Sequence, residues 1–149
     1  MKKIVSLLIM IAMLCACSNA EAGDADALWD LKTAHTGDNN AVIHILEEAG
    51  AKQYGDYTIE LQTTTEPYGL IIDYKSVNDQ ASKKALEKVS GLAVGLIDNL
   101  GYVDVKTPDK TYHFTEKKLN KDFNINVKQM SKDKEKLKRF LEKQSKVNQ

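Results

Sequence analysis

The chain has 149 residues, with 21 basic and 21 acidic side chains and no net charge, and 42% of it is hydrophobic. That supports one domain with one core. The two cysteines stand at positions 15 and 17, and the three histidines are scattered. No disulfide framework and no His/Cys set with metal-ligand spacing is written here.

Taken in order, the chain opens on Lys2 and Lys3, followed by an apolar run from Ile4 to Leu14 broken only by Ser6. A helix rising about 1.5 Å per residue would cover roughly half of a ~30 Å hydrocarbon core, so the run is a secretory signal and not a span. Leu14-Cys15-Ala16-Cys17 resembles a bacterial lipobox. The resemblance implies cleavage after Ala16 and a diacylglycerol thioether on Cys17. It implies a protein anchored by lipid to the outer face of a bacterial cell membrane. Two or three acyl chains hold stably, at about 0.8 kcal/mol per buried methylene. Residues 1–16 are then the signal, and that location excludes nucleic acid as a partner. The mature chain keeps no free thiol. Residues 17–27 read as a lipidated, flexible tether, since Ser18 to Asp26 is small, polar and acidic.

Residues 28–143 read as the domain. Trp29 belongs to its core or edge. Thr36-Gly37-Asp38-Asn39-Asn40 makes a turn and then a helix start, with Asp38 or Asn39 as cap and Gly50 as stop. Val42, Ile45, Leu46 and Ala49 share one face. His44 points away from it beside Glu47, a spacing that suits a metal but stands alone on a solvated face. Tyr57–Thr63 and Leu70–Tyr74 alternate as strands, with Tyr57, Ile59, Leu61, Leu70, Ile72 and Tyr74 inward. The turn between them has Pro67 to preset φ and Gly69 to allow a positive one.

Asn78 or Asp79 is expected to cap the longest helix, running to about Asn99 and stopped by Gly101. Gly91 and Gly95 on it would let another backbone approach. A third strand spans Tyr102 to Lys106 and a fourth Thr111 to Phe114, joined through Thr107-Pro108-Asp109-Lys110. Thr115 caps a short helix to Asp122. Ser131 or Asp133 opens a last helix on Leu137, Phe140 and Leu141, and residues 144–149 form a frayed tail. The fold class is therefore α+β, two layers, with about four mostly antiparallel strands in two hairpins and helices on one face. Thr58, Glu60, Gln62, Asp73, Lys75, Asp104 and His113 would occupy the bare face.

Charge is uneven. Cys17 to Val105 holds 6 basic against 15 acidic residues, and Lys106 to Gln149 holds 13 against 6. The basic C-terminal part is either a solvated face drawn to its acidic neighbours or a surface for anionic lipid or wall polymer.

Lys32 to Asn39, the turn Glu66-Pro67-Tyr68-Gly69-Leu70, and Leu96-Ile97-Asp98-Asn99 with the strand after it are similar to an uncharacterised domain-of-unknown-function family. The family occurs in small bacterial lipoproteins and at the extracytoplasmic end of some membrane metallopeptidases of the β-lactam-sensor type. The resemblance implies a sensing or partner-binding role and supplies no catalytic residues. The residues agree. No nucleophile-elbow Ser and no phosphate-cradling Gly loop is present, and the paired carboxylates lie on a helix face and a tether. We therefore expect no catalytic activity, no cofactor and no metal. An envelope or membrane protein partner would dock at Thr36, Gly37, Asp38 and Asn39, at Pro67, Tyr68 and Gly69, or on the bare sheet face. The oligomeric state is left open.

Overall fold

The computed structural model describes residues 23–33 and 35–147. Helix α1 (Ala25–Leu31) opens under Asp24, whose carboxylate accepts from the Asp26 N–H. It starts inside the stretch read as tether. The Asp24 N–H donates to Glu48 Oε1 at 3.1 Å, and Leu28 is fully buried, so residues 24–27 are held against the domain. Trp29 packs on the edge of the core with the Lys32 ammonium 3.8 Å from its ring centre. Helix α2 (Asn39–Glu48) is capped by Asp38, and Gly50 ends its last turn at φ 81°. A short 3₁₀ turn, Ala51–Tyr54, leads to the sheet.

Strands β1 (Tyr57–Gln62) and β2 (Tyr68–Tyr74) pair antiparallel. Helix α3 (Lys83–Leu96) then crosses back and strand β3 (Leu100–Lys106) lies parallel to β2. Strand β4 (Thr111–Thr115) returns antiparallel to β3, giving the order β1-β2-β3-β4. A parallel pair between two hairpins requires a crossover, and α3 supplies it. Two of the three pairings are antiparallel, and the α+β class holds. Leu70, Ile72, Tyr74, Val103, Val105 and Phe114 are buried under the helices, while Thr58, Glu60, Asp73, Thr111 and His113 are exposed on the other face. Helix α4 (Glu116–Phe123), capped by Thr115, a 3₁₀ turn (Val127–Ser131) and helix α5 (Lys134–Lys146), capped by Asp133, complete the chain.

Three boundaries differ from expectation. Asn78 does not cap α3. Its amide nitrogen donates to the Gln53 carbonyl and its oxygen accepts from the Gln80 N–H, closing a turn, and Ser82 caps the helix through the Ala85 N–H. Gly101 does not stop the helix. The chain becomes extended at Ile97, which bridges to Thr33, and Gly101 already lies in β3. Nor does the C-terminus fray at Gln144. That residue follows Leu137 by seven and Leu141 by three, so it falls on the buried stripe of α5 and is itself buried.

Gly91 and Gly95 are used as their spacing suggests. A Cβ on Gly91 would lie 2.7 Å from the Phe123 ring, and one on Gly95 would lie 2.7 Å from the Val127 carbonyl oxygen. The end of α4 and the turn after it therefore sit on α3 with no room for a side chain.

The Tyr74 hydroxyl donates to the Ala51 carbonyl at 2.8 Å. Burial first, then Tyr57 and Tyr54, push its pKa well above the usual 10. The unfolded chain ionises more easily, so this contribution to stability is complete below pH about 10 and is lost above it. Melting temperatures measured from about pH 8 to about pH 11 should fall past pH 10, and Tyr74→Phe should flatten that fall.

Candidate functional site

The three stretches that carry the family resemblance meet at one end of the sheet. Thr33 receives the bridge from Ile97, with its N–H 3.0 Å from the Leu96 carbonyl and the Asp98 N–H 2.9 Å from its own. Three residues on, the Thr36 N–H and hydroxyl both donate to Asn99 Oδ1, at 2.6 and 2.7 Å. On the other side of Leu100, a Cβ on Gly101 would lie 2.6 Å from Pro67 Cβ. The turn between α3 and β3 is thus clamped by the Thr36 loop and covered by the Pro67 turn.

This geometry divides the seven residues proposed for docking. Thr36 is fully buried and Gly69 is buried, so neither offers a surface. Gly37, Asp38, Asn39 and Pro67 are exposed and Tyr68 is half-buried. Asp38 is committed to its cap through the Ala41 N–H at 3.1 Å. Gly69 has no positive φ. It lies in β2 beneath the Tyr102 ring, whose Cζ would be 2.1 Å from any Cβ there. The glycine admits the ring instead of turning the chain. Cys17 lies outside the described residues.

Tyr102 belongs to the bare face of the sheet, which strand register arranges in rows. Thr58, Asp73, Lys106 and Thr111 form one; Glu60, Ile71, Asp104 and His113 the next; Gln62, Gly69, Tyr102 and Thr115 the last. His113 Nδ1 lies 2.5 Å from Asp104 Oδ1, and its ring centre is 5.4 Å from that of Tyr102. Tyr102 is held from below by Gly69 and from the side by His113. Ile71 beside it leaves a small apolar centre in a polar surround. Alternation around Val103 and Val105 would have placed Tyr102 here, but the sequence pattern alone singled out only the polar residues. Exposed His44 reaches Glu47 at 3.5 Å, and no group of three or more potential metal ligands occurs among the described residues.

A second feature lies on the helical side. Between the end of α4, the following 3₁₀ turn and α5 is a cleft of about 500 Å³. Phe123, Met130 and Phe140 form its floor, with the two phenyl rings edge to face at 4.9 Å. Lys136, Arg139 and Lys143 stand on its rim. Lys136 reaches the Gln129 amide oxygen at 3.3 Å and Arg139 the Glu135 carbonyl at 3.3 Å. None of the three is ion-paired among the described residues. Other basic groups of this region do meet acidic partners. Lys134 is 2.7 Å from Asp26, Lys132 3.1 Å from Asp98, and Lys118 3.0 Å from Glu87 while also bonding Asp122. Asp122 and Glu87 hold the Lys118 pKa above its usual value.

One lysine is structural. The Lys128 ammonium donates to the carbonyls of Val94, Ile97 and Leu100 at 2.7, 2.9 and 2.6 Å. Burial pushes its pKa below the usual lysine value. It ties the last turn of α3, where helical carbonyls such as that of Val94 run out of helical partners, to the start of β3.

Fold and surfaces together define a two-layer α+β domain with one bare sheet face. The chain belongs to the family described as a domain of unknown function (DUF4825), whose sequence profile matches residues 28–120. Comparison with curated proteins and with solved structures gave no match. The matched span contains the three clamped stretches and the whole sheet, and it ends before the floor and rim of the cleft.

Proposed function

We propose that this protein is a bacterial lipoprotein, anchored through Cys17 on the extracytoplasmic side of the membrane. Its domain binds or senses a protein partner of the envelope and performs no chemistry of its own. The observation that carries the docking part is the bare sheet face with Tyr102 fixed in its end row, beside Ile71 and His113. An aromatic ring already held in place loses little freedom on binding and makes a good anchor for a partner. The lipobox at Leu14–Cys17 supports the anchor, and the clamped Thr36 and Pro67 loops support a rigid edge to the face.

Cell fractionation tests the first half: wild type should pellet with membranes and Cys17→Ser should not. Crosslinking in cells tests the second. Tyr102→Ala should reduce recovery of the partner at least about tenfold, the scale of one lost anchor residue, while the purified variant stays folded with a cooperative melting transition. A partner recovered equally by both proteins would place the docking surface elsewhere.

The basic C-terminal region supports a second reading, an envelope protein that holds anionic lipid or wall polymer, because three of its cations rim an apolar cleft without an acidic partner among the described residues.

A further inference from the structure

The cleft beside α5 and the path of the N-terminal chain point to one occupant. Gly23 lies against α5: a Cβ there would be 3.4 Å from a Leu141 methyl, and Gly23, Lys138 and Ser145 share a depression on that flank. Cys17 is six residues away, a reach of about 20 Å when extended. A helix with its side chains is about 10–12 Å across. The tether therefore holds α5 within roughly two helix diameters of wherever the acyl chains enter. α5 packs chiefly against α1 and the Val127–Ser131 turn, with no strand among its main neighbours.

On its other flank α5 presents Lys136, Arg139 and Lys143, at spacings of three and four, so the three cations form one stripe. Beneath that stripe lie half-buried Ile125 and the edges of Phe123 and Phe140, 7% and 4% exposed, over fully buried Met130. Cations above an apolar floor match an anionic amphiphile, whose charged head meets the rim while its first carbons meet Ile125 and the ring edges.

We propose that this cleft binds the phosphate head and first acyl carbons of an anionic phospholipid from the membrane that the Cys17 anchor enters. The proposal rests on the anchored reading above. With α5 laid on the bilayer, the sheet face points away from it and stays free for a partner.

The test uses full-length protein extracted from host membranes in mild detergent. Intact mass first reports whether Cys17 is acylated. Native mass spectrometry then follows titration with short-chain phosphatidylglycerol or with phosphatidylcholine of the same chains. Wild type should bind one phosphatidylglycerol at least about tenfold more tightly than phosphatidylcholine. The triple variant Lys136→Gln, Arg139→Gln, Lys143→Gln should lose that preference. A control triple, Lys106→Gln, Lys110→Gln, Lys117→Gln, should keep it. Equal binding of the two lipids by wild type, or equal loss in the control, would overturn the cleft. An unacylated mass with the preference intact would instead overturn the anchor, and the two failures are read separately.

Discussion

Lys128→Met should destabilise the domain by about 3 kcal/mol or more, the largest effect of any charged residue. The substitution keeps the length and apolar stem of the side chain and removes only the ammonium. Three carbonyls, of Val94, Ile97 and Leu100, then lose a donor at 2.6–2.9 Å. The Ile97 carbonyl keeps the Leu100 N–H at 3.1 Å, so the loss falls mainly on the Val94 and Leu100 carbonyls, and each polar group left unsatisfied in a partly buried site costs about 1–3 kcal/mol. The carbonyls belong to the last turn of α3, to its cap Ile97 and to the first residue of β3, so the loss falls on the crossover that sets the parallel pair. Urea unfolding should show a lower midpoint with an unchanged slope. Lys121→Met, an exposed position on α4, should stay within about 0.5 kcal/mol of wild type. Equal midpoints for the two variants would contradict this role for Lys128.

Asn99→Ala should cost about 2 kcal/mol, because one side-chain oxygen accepts from both the N–H and the hydroxyl of buried Thr36. Asn99→Asp keeps an acceptor at that place and should recover most of the loss. Hydrogen exchange gives the local signature: amides of the 33–38 loop should exchange faster in the alanine variant, with those of β2 unchanged. Uniform acceleration across the sheet would mean that Asn99 supports the whole domain and not the loop.

The same residues show how far the sequence could be read. Asp38, Thr115 and Asp133 cap their helices because a short polar side chain just before an amphipathic run can reach a free N–H, a relation visible within four residues. Strand alternation identified the buried sides of β2 and β3 for the same local reason. Asn78 has the same local qualification as a cap, and the chain satisfies it instead through Gln53, twenty-five residues away. Lys128 looks like any other lysine of a basic tail until the fold brings three carbonyls to it. Gly69 looks like a turn glycine, and what explains it is the Tyr102 ring from a strand thirty-three residues further on. Thr36 and Gly69 looked accessible because loops and turns usually are. Both are spent on holding the end of the sheet. The cleft was legible only in part. Leu137, Phe140 and Leu141 mark the seam of α5, but that the buried Phe140 lies along the edge of a cleft with Lys136 and Arg139 depends on where the Val127–Ser131 turn lies.

Residue-specific photo-crosslinking in intact cells shows which face of the domain meets a partner. A photoreactive residue is placed at Asp73, exposed on the bare sheet face, or at Arg139 on α5. The anchored binding module predicts one discrete protein adduct from position 73, lost with Cys17→Ser, and no such adduct from position 139. A discrete protein adduct from position 139 with none from position 73 would contradict it, since the sheet face would then not be the surface that meets the partner.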